Sequence, residues 1–460
     1  MLKTSVQKRH RKHATKCMKT KIIFRTITLI GLLSSTLLKA QITWTKNAAN
    51  PVLRRDTVIA NLPKDLIAIS DCWVIKEGTT YKIWYTCGGL NYPTDTLLKS
   101  RLCYATSLDG IRWTKYSGNP VLDVSYTGEW DSLGVETATI IIDSLAPPAE
   151  KYKMWYAGQY FNSYRYDIGY AYSSDGTNWI KHTNPVMQVG VSTQWDNGFL
   201  EGPSVIKDGN TYKMWYGGYD VIVDGNGTDG HTNIGYATST DGINWTKYTG
   251  NPILITGTNT WDSINVQDPH VIKQGSVYYM WYGGGANYSV YDQQVGFAAS
   301  TDGISWTKSR ANPVLKRGNA GAWDAVLASF PSVLNDNGIY KMWYTGRDAD
   351  PLSPGLLNYY WELGYATAPT QPIDEIRNYN NSGITLFPNP AQNKLNIQIS
   401  VDLKNAELKI YNQLGQIEKR ISNINSKDIS IENLDLSTGV YFIVLQNGDR
   451  QLTSKFLITK

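Results

Sequence analysis

Five times the chain spells nearly the same two phrases, and the fifth copy is completed by the N-terminus. The first phrase is Tyr-Lys-Met-Trp-Tyr. It stands at Tyr81–Tyr85 (Ile83 for Met), Tyr152–Tyr156, Tyr212–Tyr216, Tyr278–Tyr282 (Tyr279 for Lys) and Tyr340–Tyr344. The second is Gly-Tyr-Ala-x-Ser-x-Asp-Gly-x-x-Trp-Thr-Lys…Asn-Pro-Val-Leu, clearest at Gly235–Leu254. Its Asn recurs at Asn50, Asn119, Asn184, Asn251 and Asn312. The last copy stops at Gly364-Tyr365-Ala366, and the missing half stands alone as Trp44-Thr45-Lys46…Asn50-Pro51. A linear array has no reason to be cut this way. A ring does, because its first strand finishes its last unit and removes a free sheet edge.

Each repeat reads as four strands. In the third they are Leu200–Lys207, Tyr212–Tyr216, Asn233–Thr238 and Ile243–Lys247, with turns at Asp208-Gly209-Asn210 and Asp241-Gly242. Alternation, aromatic enrichment and Gly/Asn/Asp punctuation favour strands throughout, and no stretch of the mature chain has a helical period. The expected fold is all-β: a five-bladed β-propeller over 41–370, its last blade closed by the N-terminal strand, then a small C-terminal β-sandwich. The Ser-x-Asp-Gly-x-x-Trp segments, such as Ser107–Trp113, resemble sialidase Asp-boxes. Their Asp residues are expected to bond their own turns, with Gly supplying positive φ.

The net charge of +5 misleads. Residues 1–40 hold ten Lys/Arg and no Asp/Glu, so 34 basic residues face 39 acidic ones in the remainder, about −5. That leaves no basic face for nucleic acid. Residues 1–40 read as a secretory signal, with Met18 a plausible start: Lys19, Lys21 and Arg25 precede the apolar run Ile27–Leu38, and Ala40 could end it. Export permits one disulfide among Cys72, Cys87 and Cys103. Cys87 and Cys103 stand where other repeats have Gly, on neighbouring strands, and three buried thiols is the alternative. A monomer is expected.

Composition changes after Pro372. Residues 371–383 read as a linker and 384–460 as a separate β-domain, carrying Phe387-Pro388-Asn389-Pro390 and Gly439-Val440-Tyr441. These elements resemble the C-terminal sorting domain of the type IX secretion system of Bacteroidetes. The resemblance implies the type IX machinery as a partner, passage across the outer membrane, and release or surface attachment.

In a propeller the first strand of each blade lines the axis. Aligned on their apolar halves, these strands read Ser70-Asp71-Cys72-Trp73-Val74, Glu136-Thr137-Ala138-Thr139-Ile140, Glu201-Gly202-Pro203-Ser204-Val205, Gln267-Asp268-Pro269-His270-Val271 and Ser329-Phe330-Pro331-Ser332-Val333. Four of five carry a carboxylate at nearly one height. Charged residues seldom point into a crowded centre without purpose. Convergent acids split in pKa by repulsion, which supplies the acid and base of glycoside cleavage. Trp73, Asp268, His270, Arg347 and Trp361 are expected to contact the sugar, and Tyr160, Phe161, Tyr219 and Tyr288 to line the cleft. Asp268-Pro269 could instead cap a strand and His270 could simply pack. No cofactor is called for. An axial Ca²⁺ held by carboxylates and carbonyls is permitted, but no loop motif for it is present.

The repeats resemble the five-bladed propeller glycosidases of families 43, 32 and 130 over roughly residues 42–370. In the family-43 pattern a blade-1 Asp is the general base, a blade-2 Asp tunes it, and a blade-3 Glu, often in Glu-Gly-Pro, is the general acid. Asp71 and Glu201-Gly202-Pro203 match the first and third. In blade 2 the Asp position is Thr137, and Glu136 sits one place earlier. The resemblance implies a secreted glycoside hydrolase, inverting, acting on a poly- or oligosaccharide. A non-catalytic carbohydrate- or surface-binding propeller is the other reading.

Overall fold

The computed structural model describes residues 42–55, 68–89, 98–161, 165–220, 230–258, 260–286, 292–348, 361–370, 384–412, 417–432, 434–448 and 450–459. The leader over 1–40, the linker over 371–383 and Tyr288 lie outside the described residues. The chain divides into two compact units, Met1–Pro369 and Thr370–Lys460. Both are built of strands, and the helical content among the described residues is one 3₁₀ turn, Pro148–Glu150.

In the first unit each repeat is an antiparallel meander of three long strands and a two-residue fourth. The first repeat runs Ala68–Glu77, Thr80–Gly89, Lys99–Ser107, Thr114–Lys115. The first strands of the next four are Gly134–Ile142, Phe199–Asp208, Asn265–Gln274 and Leu327–Asp336. The fifth repeat takes its fourth strand from the other end of the chain: Thr45 pairs with Thr367 and Lys46 with Ala366, antiparallel. This is the pairing the orphan half-repeat requires. Each first strand packs beside the first strand of the next repeat, and that of the fifth packs beside that of the first. The arrangement is propeller-like.

The recurring residues recur because each makes a contact to a neighbouring repeat. The leading Tyr of each Tyr-Lys-Met-Trp-Tyr phrase donates its hydroxyl to a polar residue at, or just past, the end of the preceding first strand. Tyr152 reaches Glu77, Tyr212 Asp143, Tyr278 Asp208 and Tyr340 Gln274; Tyr81 reaches Asp336 of the fifth repeat. The Trp of the phrase donates Nε1 to the Gly carbonyl of the following Asp-box turn: Trp84 to Gly176, Trp155 to Gly242, Trp215 to Gly303 and Trp343 to Gly110, at 2.7–2.8 Å. Within the turns the Asp carboxylate accepts backbone N–H groups, as Asp241 does from Ile243 and Asn244, so these acids are structural. The fifth repeat has no such turn, and Trp281 Nε1 is accordingly buried without a partner. Trp44 still fills the aromatic place, its ring 6.2 Å from Trp281 and edge-on, as Trp306 stands to Trp215.

The core lies between repeats. One cluster joins Trp73, Trp84 and Leu102 to Val135, Ile140 and Tyr152. Another joins Ile69, Val74 and Tyr81 of the first repeat to Trp343 and Leu363 of the fifth. Cys87 and Cys103 form a disulfide across adjacent strands, and Cys72 is a buried free thiol. The second unit has a three-stranded and a four-stranded sheet sharing one apolar core that includes Ile397, Leu408 and Ile443.

Candidate active site

The site is made by an irregularity repeated in every first strand. Pairing with the second strand breaks register between Ser70 and Trp73, Glu136 and Thr139, Glu201 and Ser204, Gln267 and His270, and Ser329 and Ser332. At each break one residue is left-handed: Asp71 (φ 47), Thr137 (φ 49), Gly202 (φ 54), Asp268 (φ 49) and Phe330 (φ 53). A β-branched or bulky residue at such a φ is strained and persists only where its surroundings enforce it. Here the bulge re-aims side chains, as bulges beside binding sites do. Neighbouring repeats hold it in place. The Asp71 N–H donates to Thr345 Oγ1, the Thr137 N–H to Thr86 Oγ1 and the Gly202 N–H to Thr137 Oγ1, at 3.1–3.2 Å. Thr137, at the position where the resemblance implies an acid, is thus a backbone acceptor.

Above the bulges opens a cavity of about 1430 Å³. Asp71, Glu136 and Glu201 all line it. Burial raises all three. Asp71 is pushed up to about 6 against an ordinary 3.8, although Ser70 Oγ donates to its Oδ2 at 2.7 Å and Thr86 also bonds it. Glu136 is pushed up to about 7 by burial and by the charge of Asp71, with Ser100 and Tyr166 as hydrogen-bond donors. Glu201 is raised well above the usual carboxylate range by burial and by the charges of Asp268, Glu136 and Asp71. One carboxyl is therefore ready to lose its proton near neutrality while another keeps it, the distribution that acid–base catalysis requires.

The other expected residues divide. Trp361 and Tyr219 line the cavity. Arg347 is buried, its guanidinium 5.2 Å from the centre of the Trp361 ring, so it braces that wall from behind. Trp73 and His270, expected at the sugar, are buried and are not among the described residues lining the cavity. Their rings meet at a tilt of 38° with centroids 4.3 Å apart, and His270 Nε2 bonds the Val333 carbonyl. Burial holds His270 neutral, at about 3. Asp268 is 7% exposed and lies outside the cavity lining. Tyr160 hydrogen-bonds Asp167, and Phe161 is exposed. Among the described residues no group of three or more His, Cys, Asp or Glu is arranged to hold a metal ion.

Tyr166, Phe199 and Phe330 also line the cavity and were not singled out from the sequence. Phe199 stacks on Tyr219 at 4.7 Å and 5°. Its signal was its place, at the start of a first strand, where connections on the functional face come in.

Residues 145–328 match the glycosyl hydrolases family 32 N-terminal domain. Residues 385–459 match the secretion system C-terminal sorting domain. The family 32 match spans 184 of the 460 residues. Uncharacterized protein Rv1502 of Mycobacterium tuberculosis is 30% identical over 233 residues, 49% of this chain and 72% of that protein. A 1,2-beta-oligomannan phosphorylase of Thermoanaerobacter sp. is 25% identical over 151 residues, 33% of this chain and 48% of that protein. Among solved structures, one from work on the GH130 family of mannoside phosphorylases and its β-1,2-mannosidic hydrolases has a TM-score of 0.52. It is 16% identical, with 71% of this chain and 94% of that chain covered. The solved structure shares the fold of the first unit. The sorting domain indicates type IX secretion to the cell surface or the extracellular space.

Proposed function

We propose that residues 41–370 form a closed five-bladed propeller that hydrolyses a poly- or oligosaccharide with inversion. A linker over 371–383 and a β-sandwich sorting domain over 384–460 follow it. Closure is supported by the fifth first strand packing beside the first and by Tyr81 bonding Asp336. The observation that carries the function is the graded set of three carboxyls, from three successive repeats, lining one cavity. Asp71, the easiest to ionise, takes a proton from water as the water oxygen attacks the anomeric carbon. Glu201, the one that keeps its proton, delivers it to the leaving oxygen as the glycosidic C–O bond breaks. Glu136 lies between and its negative charge strengthens the hold of Glu201 on that proton. Phe199, Tyr219 and Trp361 offer ring faces to the sugar.

A phosphorylase is the second reading, favoured by the oligomannan phosphorylase relative. It would need cations for a phosphate nucleophile. Arg165 is the one cationic residue among the described residues lining the cavity, and its guanidinium is paired with Asp167 at 2.8 Å. That pairing favours water. The test is a glycan panel starting with β-1,2-linked manno-oligosaccharides, with and without inorganic phosphate. Phosphate-independent cleavage, lost in Glu201→Gln while binding persists, is expected. Strict phosphate dependence would establish the phosphorylase. Binding without cleavage by the wild type, equal in Glu201→Gln, would leave a carbohydrate- or surface-binding propeller.

A further inference from the structure

Asp268 is a fourth carboxyl in the same layer, and the mechanism above leaves it idle. It holds the bulge position of the fourth repeat, as Asp71 does in the first. Unlike Asp71 it is buried behind the lining. Its Oδ2 accepts from Gln267 Nε2 at 2.9 Å, and its Oδ1 is buried with no hydrogen-bond partner. That Oδ1 lies 2.5 Å from the point a Cβ on Gly202 would occupy, and the Asp268 Cα lies 2.9 Å from it. The acid is therefore packed on the backbone of the residue that follows Glu201. Only glycine leaves room for it.

We propose that Asp268 is a positioning residue for Glu201: a buried acid behind Gly202 whose negative charge keeps the proton on Glu201. The argument turns on which of the two ionises first. Gln267 donates to the Asp268 carboxylate and so favours its charged form. Among the described residues Glu201 receives no comparable donor; burial and neighbouring negative charge are what act on it. Burial and the charges of Asp71 and Glu136 raise Asp268 as well, with Gln267 alone opposing them, so Asp268 gives up its proton late but ahead of Glu201, and the two titrate as one system. The other groups facing Glu201 are Asp71 from the first repeat and Glu136 with Tyr166 from the second, all acidic. The fifth repeat presents Phe330 at this position of the bulge. Asp268 contributes the largest of the three carboxylate effects on Glu201, ahead of Glu136 and Asp71.

This inference rests on Glu201 being the proton donor, and its test is read without turnover. Protein labelled with ¹³C at glutamate Cδ is titrated by NMR, with Glu201→Gln assigning the Glu201 signal. Asp268→Asn should lower the Glu201 midpoint by about one pH unit or more, and the alkaline limb of kcat/KM should move with it. Gln267→Met, which removes the donor and should leave Asp268 protonated, should lower the midpoint too, and it serves if Asp268→Asn fails to fold. A Glu201 midpoint unmoved in the folded variant overturns the proposal, even if the wild type cleaves glycans. A lowered midpoint in a protein that cleaves nothing upholds the charge relation while the glycosidase reading fails.

Discussion

Replacing Asp71 by Asn should stabilise the protein at alkaline pH and leave it unchanged in acid. The unfolded chain ionises this carboxyl near 3.8, and the folded chain holds its proton to about 6. A folded value above the unfolded one gives stability that is complete below about pH 4 and lost as pH rises through about 6. The difference between 6 and 3.8, at about 1.4 kcal/mol per pH unit, makes the folded state roughly 3 kcal/mol less stable at pH 8 than it would be with a neutral isostere. With an unfolding entropy of about 2.1 cal/mol/K per residue over roughly 330 residues, that is about 4 °C in Tm. Glu136→Gln should behave similarly, since its carboxyl is carried from 4.5 to about 7. The two gains should not add. Part of the Glu136 shift comes from the charge of Asp71, so the double variant should fall short of the sum. The assay is thermal unfolding by circular dichroism from pH 4 to pH 9 for wild type, both single variants and the double. A pH-independent difference, or a loss of stability at pH 8 in Asp71→Asn, would refute the reasoning, because it would mean that the carboxyl is not held against its solvation.

Further outcomes follow from the same contacts. Trp215→Phe should lose about 1 kcal/mol more stability than Trp281→Phe, since Trp215 donates to the Gly303 carbonyl and Trp281 has no partner; denaturant unfolding of the two variants compares them. Gly202→Ala should destabilise by more than about 2 kcal/mol, because φ is +54 and the added methyl would meet Asp268, and the same unfolding measurement reads it. In the wild type kcat/KM should fall as pH drops below about 6, where Asp71 takes up its proton, and Asp71→Asn should abolish that limb along with most activity. Deleting residues 384–460 should leave a folded propeller in the periplasm, detected by fractionation, with none in the medium.

The fold was legible because its contacts repeat. A Tyr that must reach a polar side chain in the preceding repeat, and a Trp that must reach a Gly carbonyl in the next repeat's turn, cannot vary independently, so the same letters return from repeat to repeat. One device is not legible in the sequence although it also repeats. Trp130-Asp131, Trp195-Asp196, Trp261-Asp262 and Trp323-Asp324 each place a buried Asp on a Tyr hydroxyl and a Lys, as Asp196 takes Tyr216 and Lys247. Each pair stands alone between variable loop residues, with no strand-like alternation to mark it. The candidate site was legible only in part, and for a different reason. The column of Asp71, Thr137, Gly202, Asp268 and Phe330 could be aligned by its apolar neighbours. What each member does depends on a left-handed backbone that five unlike residues share. The preceding column, with Glu136 and Glu201, carries its carboxyls on longer arms from a different point of the bulge. So Asp71 lines the cavity, Asp268 lies behind Gly202, and Thr137 serves as a backbone acceptor, all from one position of the repeat. A repeat sequence reports what every copy must do alike. An active site at the axis depends on what single copies do differently, and there each residue stands without a second example to compare.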